Sequence, residues 1–151
     1  MDLEEYLAGA GVWYRFVEKA ETVHTADASN ATGIELNRIT KNLVCRTSTG
    51  GYALLVIPGD RRVNLRRAAQ ALKVGNVQLL GFGEAEKISG YPPGGTPSIH
   101  HKTALDVVVD KGVLVHETIF CGGGTRDRLL ELRTADVLRL SKAITADISE
   151  Q

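Results

Sequence analysis

The chain has little of several residues that mark well-known classes of protein. It contains only 2 cysteines, 1 methionine and 1 tryptophan, and aromatic residues make up 5% of its 151 positions. Cys45 and Cys121 lie far apart, each in an apolar run. This cysteine usage excludes a small disulfide scaffold and predicts reduced, buried thiols in a cytosolic protein.

The chain also lacks an excess of charge of either sign. Its 18 basic and 18 acidic residues balance, so no overall field draws it to nucleic acid or to acidic membranes. The densest basic cluster comprises Arg61, Arg62, Arg66 and Arg67, with Lys73 nearby. We interpret this cluster as a solvated helix face and keep a local RNA contact as the alternative. No apolar run approaches the length of a membrane span, and the acidic N-terminus does not resemble a signal peptide.

The motifs of several enzyme classes are missing as well. The sequence has no nucleophile elbow, no Walker loop and no dinucleotide fingerprint. The four histidines lack the spacing of a zinc site, and the adjacent His100 and His101 would face opposite sides of a strand. We therefore expect neither a metal nor a cofactor, and no Ser or Cys stands out as a nucleophile. A metal-dependent hydrolase remains an alternative, which metal in the purified protein would reveal.

Helical and strand patterns alternate along the chain. Helical spacing and end signals predict helices at residues 2–8, 25–32, 65–72, 83–88 and 135–143, with Thr25, Asn64 and Thr134 as N-caps. Strand patterns cover residues 12–17, 40–47, 52–57, 77–80, 105–109, 117–121 and 128–132. We expect an α/β (mixed α+β) fold: a single compact domain over residues 1–151. Its sheet should be mixed and largely antiparallel, or a partly closed barrel, with helices packed around it.

Glycine and proline are concentrated in one loop. Residues 90–97 contain three glycines and three prolines, and a second glycine cluster follows at residues 122–124. Proline fixes φ and lacks an N–H donor, whereas glycine permits positive φ and lets a ligand approach the backbone. Such a loop can present N–H groups to a phosphate or to the oxygen of a reacting carbonyl. The alternative is a long connection in which these residues only make turns.

A lysine occupies an unusual place at the start of an apolar strand. Strand alternation puts Lys41 on the same face as Leu43 and Cys45, where an apolar residue is expected. The side chain either extends to solvent at the strand end or points into a cleft. The sequence leaves both interpretations open.

Taken in order, these motifs resemble the YbaK family, which includes the editing domain inserted into bacterial prolyl-tRNA synthetases and its freestanding relatives. The resemblance covers the chain from roughly His24 to Leu140. It is carried by His24-Thr25, by residues 39–44 around Lys41 and by residues 56–65. The Gly/Pro loop, the apolar run at residues 105–109 and the glycines at residues 122–124 complete the order.

This resemblance implies hydrolysis of the ester in a mischarged aminoacyl-tRNA, with alanine or cysteine removed from the tRNA for proline. Aminoacylated tRNA is then the substrate, and prolyl-tRNA synthetase is a candidate partner. A second, smaller sieve is needed because losing a methylene or two is worth only about 1–3 kcal/mol of discrimination. No covalent nucleophile is needed, since water or the neighbouring ribose hydroxyl can attack the activated ester while the protein positions and polarises it.

The resemblance also suggests roles for individual residues. The N–H groups around Gly94 and Gly95 would bind the ester carbonyl, and Lys41 would supply positive charge to the terminal phosphate or the reacting oxygen. His101 would make a polar contact to the aminoacyl group or ribose, with a surface histidine as the alternative. The residues expected to bind substrate are Gly90, Tyr91, Pro97, Cys121, Gly122, Gly123 and Asp127.

The chain departs from the family pattern at three positions. Ser98 stands where a second proline is common, His100 stands where a glycine is common, and Cys121 replaces a polar residue before the late glycines. These departures keep a second hypothesis open, in which the domain binds an aminoacyl end, a nucleotide or a regulatory partner without turnover.

Overall fold

The computed structural model describes residues 2–151, which contain five α-helices and ten β-strands. The helices are α1 (Leu3–Ala10), α2 (Thr25–Thr32), α3 (Leu65–Leu72), α4 (Phe82–Ser89) and α5 (Thr134–Ser141). The strands are β1 (Tyr14–Glu18), β2 (Thr40–Thr47), β3 (Tyr52–Pro58), β4 (Arg62–Val63), β5 (Val77–Leu79), β6 (Asp106–Asp110), β7 (Thr118–Gly122), β8 (Arg128–Arg133), β9 (Ile144–Ala146) and β10 (Ser149–Glu150). Short 3₁₀ turns occupy Leu36–Arg38 and Lys111–Val113.

One of the three predicted helix caps is confirmed, and two are wrong. The Asn64 side chain accepts a hydrogen bond from the Arg67 N–H at 3.0 Å and so caps α3. Thr25 and Thr134 are instead the first residues of their helices. Their hydroxyls donate to backbone carbonyls elsewhere, at 3.1 Å for Thr25 and 2.6 Å for Thr134. These long-range contacts use the groups that would otherwise cap the helices.

The strands form three separate sheets. A five-stranded sheet has the order β5-β2-β3-β6-β9, a three-stranded sheet has the order β1-β8-β7, and β10 pairs with β4. The pairs β3–β6 and β6–β9 are parallel, and the other five pairs are antiparallel. The expected mixed, largely antiparallel architecture is confirmed. Of the two arrangements that we expected, the strands form open sheets and not a partly closed barrel. The strands that the sequence did not predict, β4, β9 and β10, have only two or three residues and thus too little alternation to detect.

The five-stranded sheet is buried on both faces by two hydrophobic clusters. Leu54 and Val56 of β3 pack toward the three-stranded sheet and α1. Ala53, Leu55 and Ile57, on the opposite face, pack against α3 and the C-terminal segment. All five side chains are fully buried. β3 is therefore the central strand of the domain, and its close packing fixes the β2–β3 hairpin at the site described below.

The basic cluster at residues 61–67 only partly forms the solvated helix face that we predicted: Arg66 and Arg67 are exposed on α3, whereas Arg61 and Arg62 lie outside the helix. Arg61 lies just before β4 and Arg62 is its first residue. Both side chains contact the C-terminal segment. Arg61 Nε donates to Ser149 Oγ at 2.7 Å, and Arg62 Nη2 donates to Gln151 O at 2.8 Å. Arg67 of α3 also reaches this segment, with Nη1 3.2 Å from Ser149 O.

Close backbone packing at Gly59 gives a testable prediction for stability. A Cβ at Gly59 would lie 2.4 Å from the carbonyl oxygen of Ile39 and 2.6 Å from that of Leu36. We expect Gly59→Ala to lower the free energy of unfolding by about 1–3 kcal/mol, because overpacking forces backbone shifts. Gly9→Ala is the matched control, since a Cβ there meets nothing within 4 Å. Thermal unfolding followed by circular dichroism should show a loss for the first variant alone, and equal midpoints would contradict the prediction.

Candidate active site

A cleft of about 640 Å³ brings together four of the predicted site residues, Lys41, Tyr91, Gly94 and Gly122. Its walls come from the start of α2, the first half of β2, residues 79–85, the Gly/Pro loop and the end of β7. Gly90, Gly95, Pro97, His101, Cys121, Gly123 and Asp127 are not among its lining residues. The predicted set therefore divides into residues that face the cleft and residues that support it or lie apart from it.

Lys41 reaches the cleft from β2, where it is half-buried. Leu43 and Cys45, which share its face of the strand, pack in the cluster beneath α3. The Lys41 ammonium donates one hydrogen bond to the carbonyl oxygen of Arg61 at 2.6 Å. An ammonium has three N–H donors, so two remain for a negatively charged group in the cleft. Of the two orientations left open by the sequence, the structure shows the one that faces the cleft.

The Gly/Pro loop contains a tight turn at Pro92–Gly95. The Gly95 N–H donates to the carbonyl oxygen of Pro92 at 2.8 Å, and Gly94 has a φ of 85°. Proline followed by a residue of positive φ is the signature of a type II turn. Within the described residues, the Gly94 N–H has no hydrogen-bond acceptor, whereas the Gly95 N–H is used inside the turn. Gly94 is thus the residue of this pair that can donate to a ligand.

The second glycine cluster packs directly against this loop. Gly122 N–H donates to Thr96 O at 3.1 Å, and Gly124 N–H donates to Gly95 O at 2.8 Å. A Cβ on Gly122 would lie 2.3 Å from the Gly95 carbonyl carbon. Gly123 is restricted in a similar way, because its Cβ would lie 2.7 Å from Arg128 Cγ. Gly122 and Gly95 are therefore needed for backbone contact between the two loops, whatever either contributes to a ligand.

Tyr91 and Gly90 connect the loop to α4. The Tyr91 hydroxyl donates to the carbonyl oxygen of His100 at 2.6 Å. Burial raises the pKa of Tyr91 to about 12, so its phenol stays neutral and keeps this bond at neutral pH. Gly90 ends α4 with a φ of 87°, and a Cβ there would lie 2.9 Å from Lys102 Cβ. Tyr91 thus lines the cleft, and its hydroxyl bonds to the far end of the loop.

His101 and Pro97 lie behind the loop. The His101 ring nitrogen Nε2 is 2.8 Å from the carbonyl oxygen of Pro97, and its ring meets the Tyr91 ring edge-on at 6.3 Å. Burial lowers the pKa of His101, partly offset by this hydrogen bond. The ring is therefore neutral at pH 7, and its Nε2–H donates to Pro97. His100 has a φ of 61° and stacks on Tyr6 with ring centroids 4.3 Å apart.

A buried polar chain connects Cys121 to the cleft wall. The Cys121 thiol is fully buried, and desolvation raises its pKa to about 11, against the effect of hydrogen bonds with Ser98. Ser98 Oγ also donates to Asn42 Oδ1 at 2.5 Å. The Asn42 amide in turn donates to Thr40 Oγ1 at 3.0 Å, and both Asn42 and Thr40 line the cleft. Ser98 and Cys121 thus lie behind the wall, and the raised pKa of Cys121 favours its neutral thiol.

Sequence reasoning missed Thr40 and Asn42. Both are polar residues on alternate positions of β2, and they share one face with the buried Val44. Polar side chains on the core-facing side of a strand need partners or a cavity. That alternation was the signal that could have identified them.

Asp127 lies apart from the cleft. It lines a separate depression with Glu18, Lys19, Thr125 and Arg128. A hydrogen bond from the Thr125 hydroxyl is the main cause of its lowered pKa.

Within residues 2–151, no group of three or more His, Cys, Asp or Glu side chains is arranged to hold a metal ion. None of the described helices has the length and apolarity to cross a membrane.

Comparison with models of protein families identifies the family of the chain that forms this cleft. A family model described as the aminoacyl-tRNA editing domain matches residues 18–140. The chain belongs to this family. The identification made from the ordered motifs is therefore confirmed.

Individual relatives of this editing-domain chain agree with the assignment. It is 26% identical over 136 residues to EbsC of Enterococcus faecalis, provisionally named a Cys-tRNA(Pro)/Cys-tRNA(Cys) deacylase, and the match covers 90% of this chain and 83% of that protein. A solved hypothetical protein, APE2540, superposes with a TM-score of 0.91 at 30% identity, covering 98% and 99% of the two chains. A structure provisionally described as a trans-editing enzyme for prolyl-tRNA synthetase gives a TM-score of 0.87 at 26% identity, covering 99% and 95%. EbsC is thus named as a deacylase and the third relative as a trans-editing enzyme, whereas the name of APE2540 gives no activity.

The state of the two thiols gives a second prediction. Burial raises the pKa of both Cys45 and Cys121 to about 11. A rise of that size lowers the thiolate fraction at pH 8 by roughly 100-fold relative to an exposed cysteine. We expect iodoacetamide to alkylate the native protein at least that much more slowly than the urea-unfolded protein, measured by mass spectrometry. Rapid labelling of Cys121 in the native protein would contradict the prediction.

Proposed function

We propose that this protein is a trans-acting deacylase that hydrolyses the ester of mischarged tRNA, with alanyl- or cysteinyl-tRNA for proline as the substrate. The observation that carries the proposal is that one cleft contains both the Lys41 ammonium and the Gly94 N–H, for which residues 2–151 provide no acceptor. Clefts of 300–1,000 Å³ commonly bind small molecules, so the observed volume suits a terminal nucleotide carrying a small amino acid. Prolyl-tRNA synthetase is the partner that would generate such a substrate.

The chemistry follows from what the cleft can stabilise. Water, or the neighbouring ribose hydroxyl, attacks the ester carbonyl; the carbon–oxygen bond to the tRNA breaks and the released ribose oxygen takes up a proton. Lys41 stabilises the negative charge on the reacting oxygen or on the terminal phosphate, and the Gly94 N–H donates to the carbonyl oxygen. The free N–H of Gly94 makes it a better candidate for this role than Gly95, whose N–H closes the turn.

The remaining predicted residues take supporting or binding roles in this proposal. Tyr91 and Gly122 contact the substrate from the cleft wall. Gly95, Pro97 and His101 keep the Gly/Pro loop in shape through the contacts described above. Asn42 and Thr40 add polar groups that can bind the amino group of a small amino acid. Ser98 and Cys121, two of the departures from the family pattern, hold Asn42 in place from behind the cleft wall in this proposal.

Lys41 is the residue whose loss tests the proposal most directly. We expect Lys41→Ala to lower the single-turnover rate of deacylation by about 100- to 1,000-fold, the cost of removing one charge-stabilising donor. Its melting temperature should change little, because the lysine is half-buried at the cleft. Lys111→Ala, which removes an exposed lysine outside the cleft lining, is the matched control.

The same assay separates turnover from binding. Alanyl-, cysteinyl- and seryl-charged tRNA for proline should be compared as substrates of the wild-type protein. If none is hydrolysed but the charged tRNA binds, the domain is a binding module. If Lys41→Ala hydrolyses ester as fast as wild type, the role assigned to Lys41 is wrong.

An apolar rim offers a place for the terminal base. Leu79 and Phe82 both line the cleft and are 39% and 59% exposed, so their apolar surfaces are accessible at its edge. Stacking of a base on an exposed aromatic ring is worth about 1–3 kcal/mol. In this proposal the Phe82 ring stacks on the base at the 3′ end of the tRNA.

Substitution of Phe82 gives a prediction about substrate affinity. Phe82→Leu keeps an apolar side chain but removes the ring, so it should raise KM about 5- to 150-fold, the equivalent of 1–3 kcal/mol. Phe82→Trp should restore KM. Val115→Ala is the control, since Val115 is 77% exposed and does not line the cleft. An unchanged KM for Phe82→Leu would exclude stacking while leaving the deacylase proposal intact.

A further inference from the structure

The acceptor that orients Lys41 is a backbone carbonyl in a short loop. The loop joins β3 to β4, and the carbonyl belongs to Arg61, 2.6 Å from Lys41 Nζ. A lysine side chain loses up to about 2 kcal/mol of conformational entropy when it is fixed. The single hydrogen bond to Arg61 is what selects its position at the cleft. Any movement of this carbonyl therefore moves the ammonium.

The Arg61 side chain ties this loop to the C-terminal end of the described chain. Its Nε donates to Ser149 Oγ at 2.7 Å, and its Nη2 donates to Ser149 O at 3.2 Å. Next to this contact β10 pairs with β4, with Ser149 opposite Val63. We call residues 144–150, which include β9 and β10, the C-terminal strap. The strap thus contacts this loop through Ser149.

The strap is itself fixed by a buried carboxylate. Asp110, at the end of β6, accepts hydrogen bonds from Ser149 Oγ at 2.9 Å and from the Ile148 N–H at 2.8 Å. A third bond comes from the Gly112 N–H at 2.9 Å. Asp110 is 2% exposed and Ser149 is 1% exposed. A buried carboxylate is stable only when such donors satisfy it, so the strap has little freedom to move.

These contacts form an unbroken chain from Asp110 through Ser149 and Arg61 to Lys41. The editing-domain family model matches residues 18–140 and so does not extend to the strap. We infer that the C-terminal strap is a positioning element of the active site, in which Asp110, Ser149 and Arg61 set the place of the Lys41 ammonium. The inference rests on the role of Lys41 in the proposed function.

A pair of arginine variants tests the inference. Arg61→Ala removes the link to Ser149 but keeps the backbone carbonyl that binds Lys41. Arg67→Ala is the matched control, because Arg67 Nη1 also donates to Ser149 O, at 3.2 Å, but Arg67 supplies no acceptor to Lys41. We expect Arg61→Ala to lower kcat about 10- to 100-fold with KM nearly unchanged, since small misplacements of a catalytic group have effects of that size. Arg67→Ala should keep the wild-type kcat.

A double mutant separates positioning from general stability. In the Lys41→Ala background, Arg61→Ala should cause no further loss of the single-turnover rate, because its effect acts through Lys41. Arg61→Lys, which can still donate to Ser149, should recover most of kcat. If Arg61→Ala does not fold, Ser149→Ala gives the same comparison, with Ser149→Thr as the conservative variant.

Several results would overturn the inference. These are a wild-type kcat in Arg61→Ala, an equal loss in Arg67→Ala, or losses that multiply in the double mutant with Lys41→Ala. Deacylation by the wild-type protein together with an unaffected Arg61→Ala would reject the strap and leave the proposed function standing. Absence of deacylation by the wild-type protein would instead reject the proposed function.

Discussion

The site depends on direct backbone contact between two loops, which glycines on both sides allow to approach each other closely. The N–H groups of Gly122 and Gly124 donate to carbonyls of the Gly/Pro loop, and a Cβ on Gly122 would overlap the Gly95 carbonyl carbon. Because the loops are joined in this way, one cleft wall is made of rigid backbone. Another wall is formed by β2, which pairs with the buried strand β3. In the mechanism we propose, catalysis depends on fixed backbone dipoles and one lysine and not on a protein nucleophile.

Much of this arrangement was predictable from local sequence. The cap at Asn64, the hairpin between β2 and β3 and the mixed sheet follow from turn and periodicity rules that act over a few residues. Alternation along β2 also placed Lys41 on its observed face. The motif order identified the family, although none of the single motifs could have done so. Local rules were sufficient wherever the determining contacts were local.

The parts that sequence reasoning missed depend on contacts between distant residues. Thr25 and Thr134 have good capping side chains, but their hydroxyls bind carbonyls 34 and 18 positions away. The strap depends on the contact of Asp110 with Ser149, 39 positions away. The glycines of residues 122–124 suggested an approach by ligand, whereas their neighbour is another segment of the same chain. A cluster of glycines indicates that another group will approach the backbone closely. It does not indicate whether that group is a ligand or another segment of the chain.

The glycine contact has a consequence for how substrate preference can diverge in this fold. Side chains cannot be added at Gly122 or Gly94 without displacing backbone, so this wall offers almost no room for evolutionary change. Thr40 and Asn42, by contrast, present exchangeable side chains to the same space from a strand whose backbone is fixed by its partners. New amino-acid preferences would therefore arise by substitution along β2. The backbone wall therefore restricts substitution more strongly than β2 does.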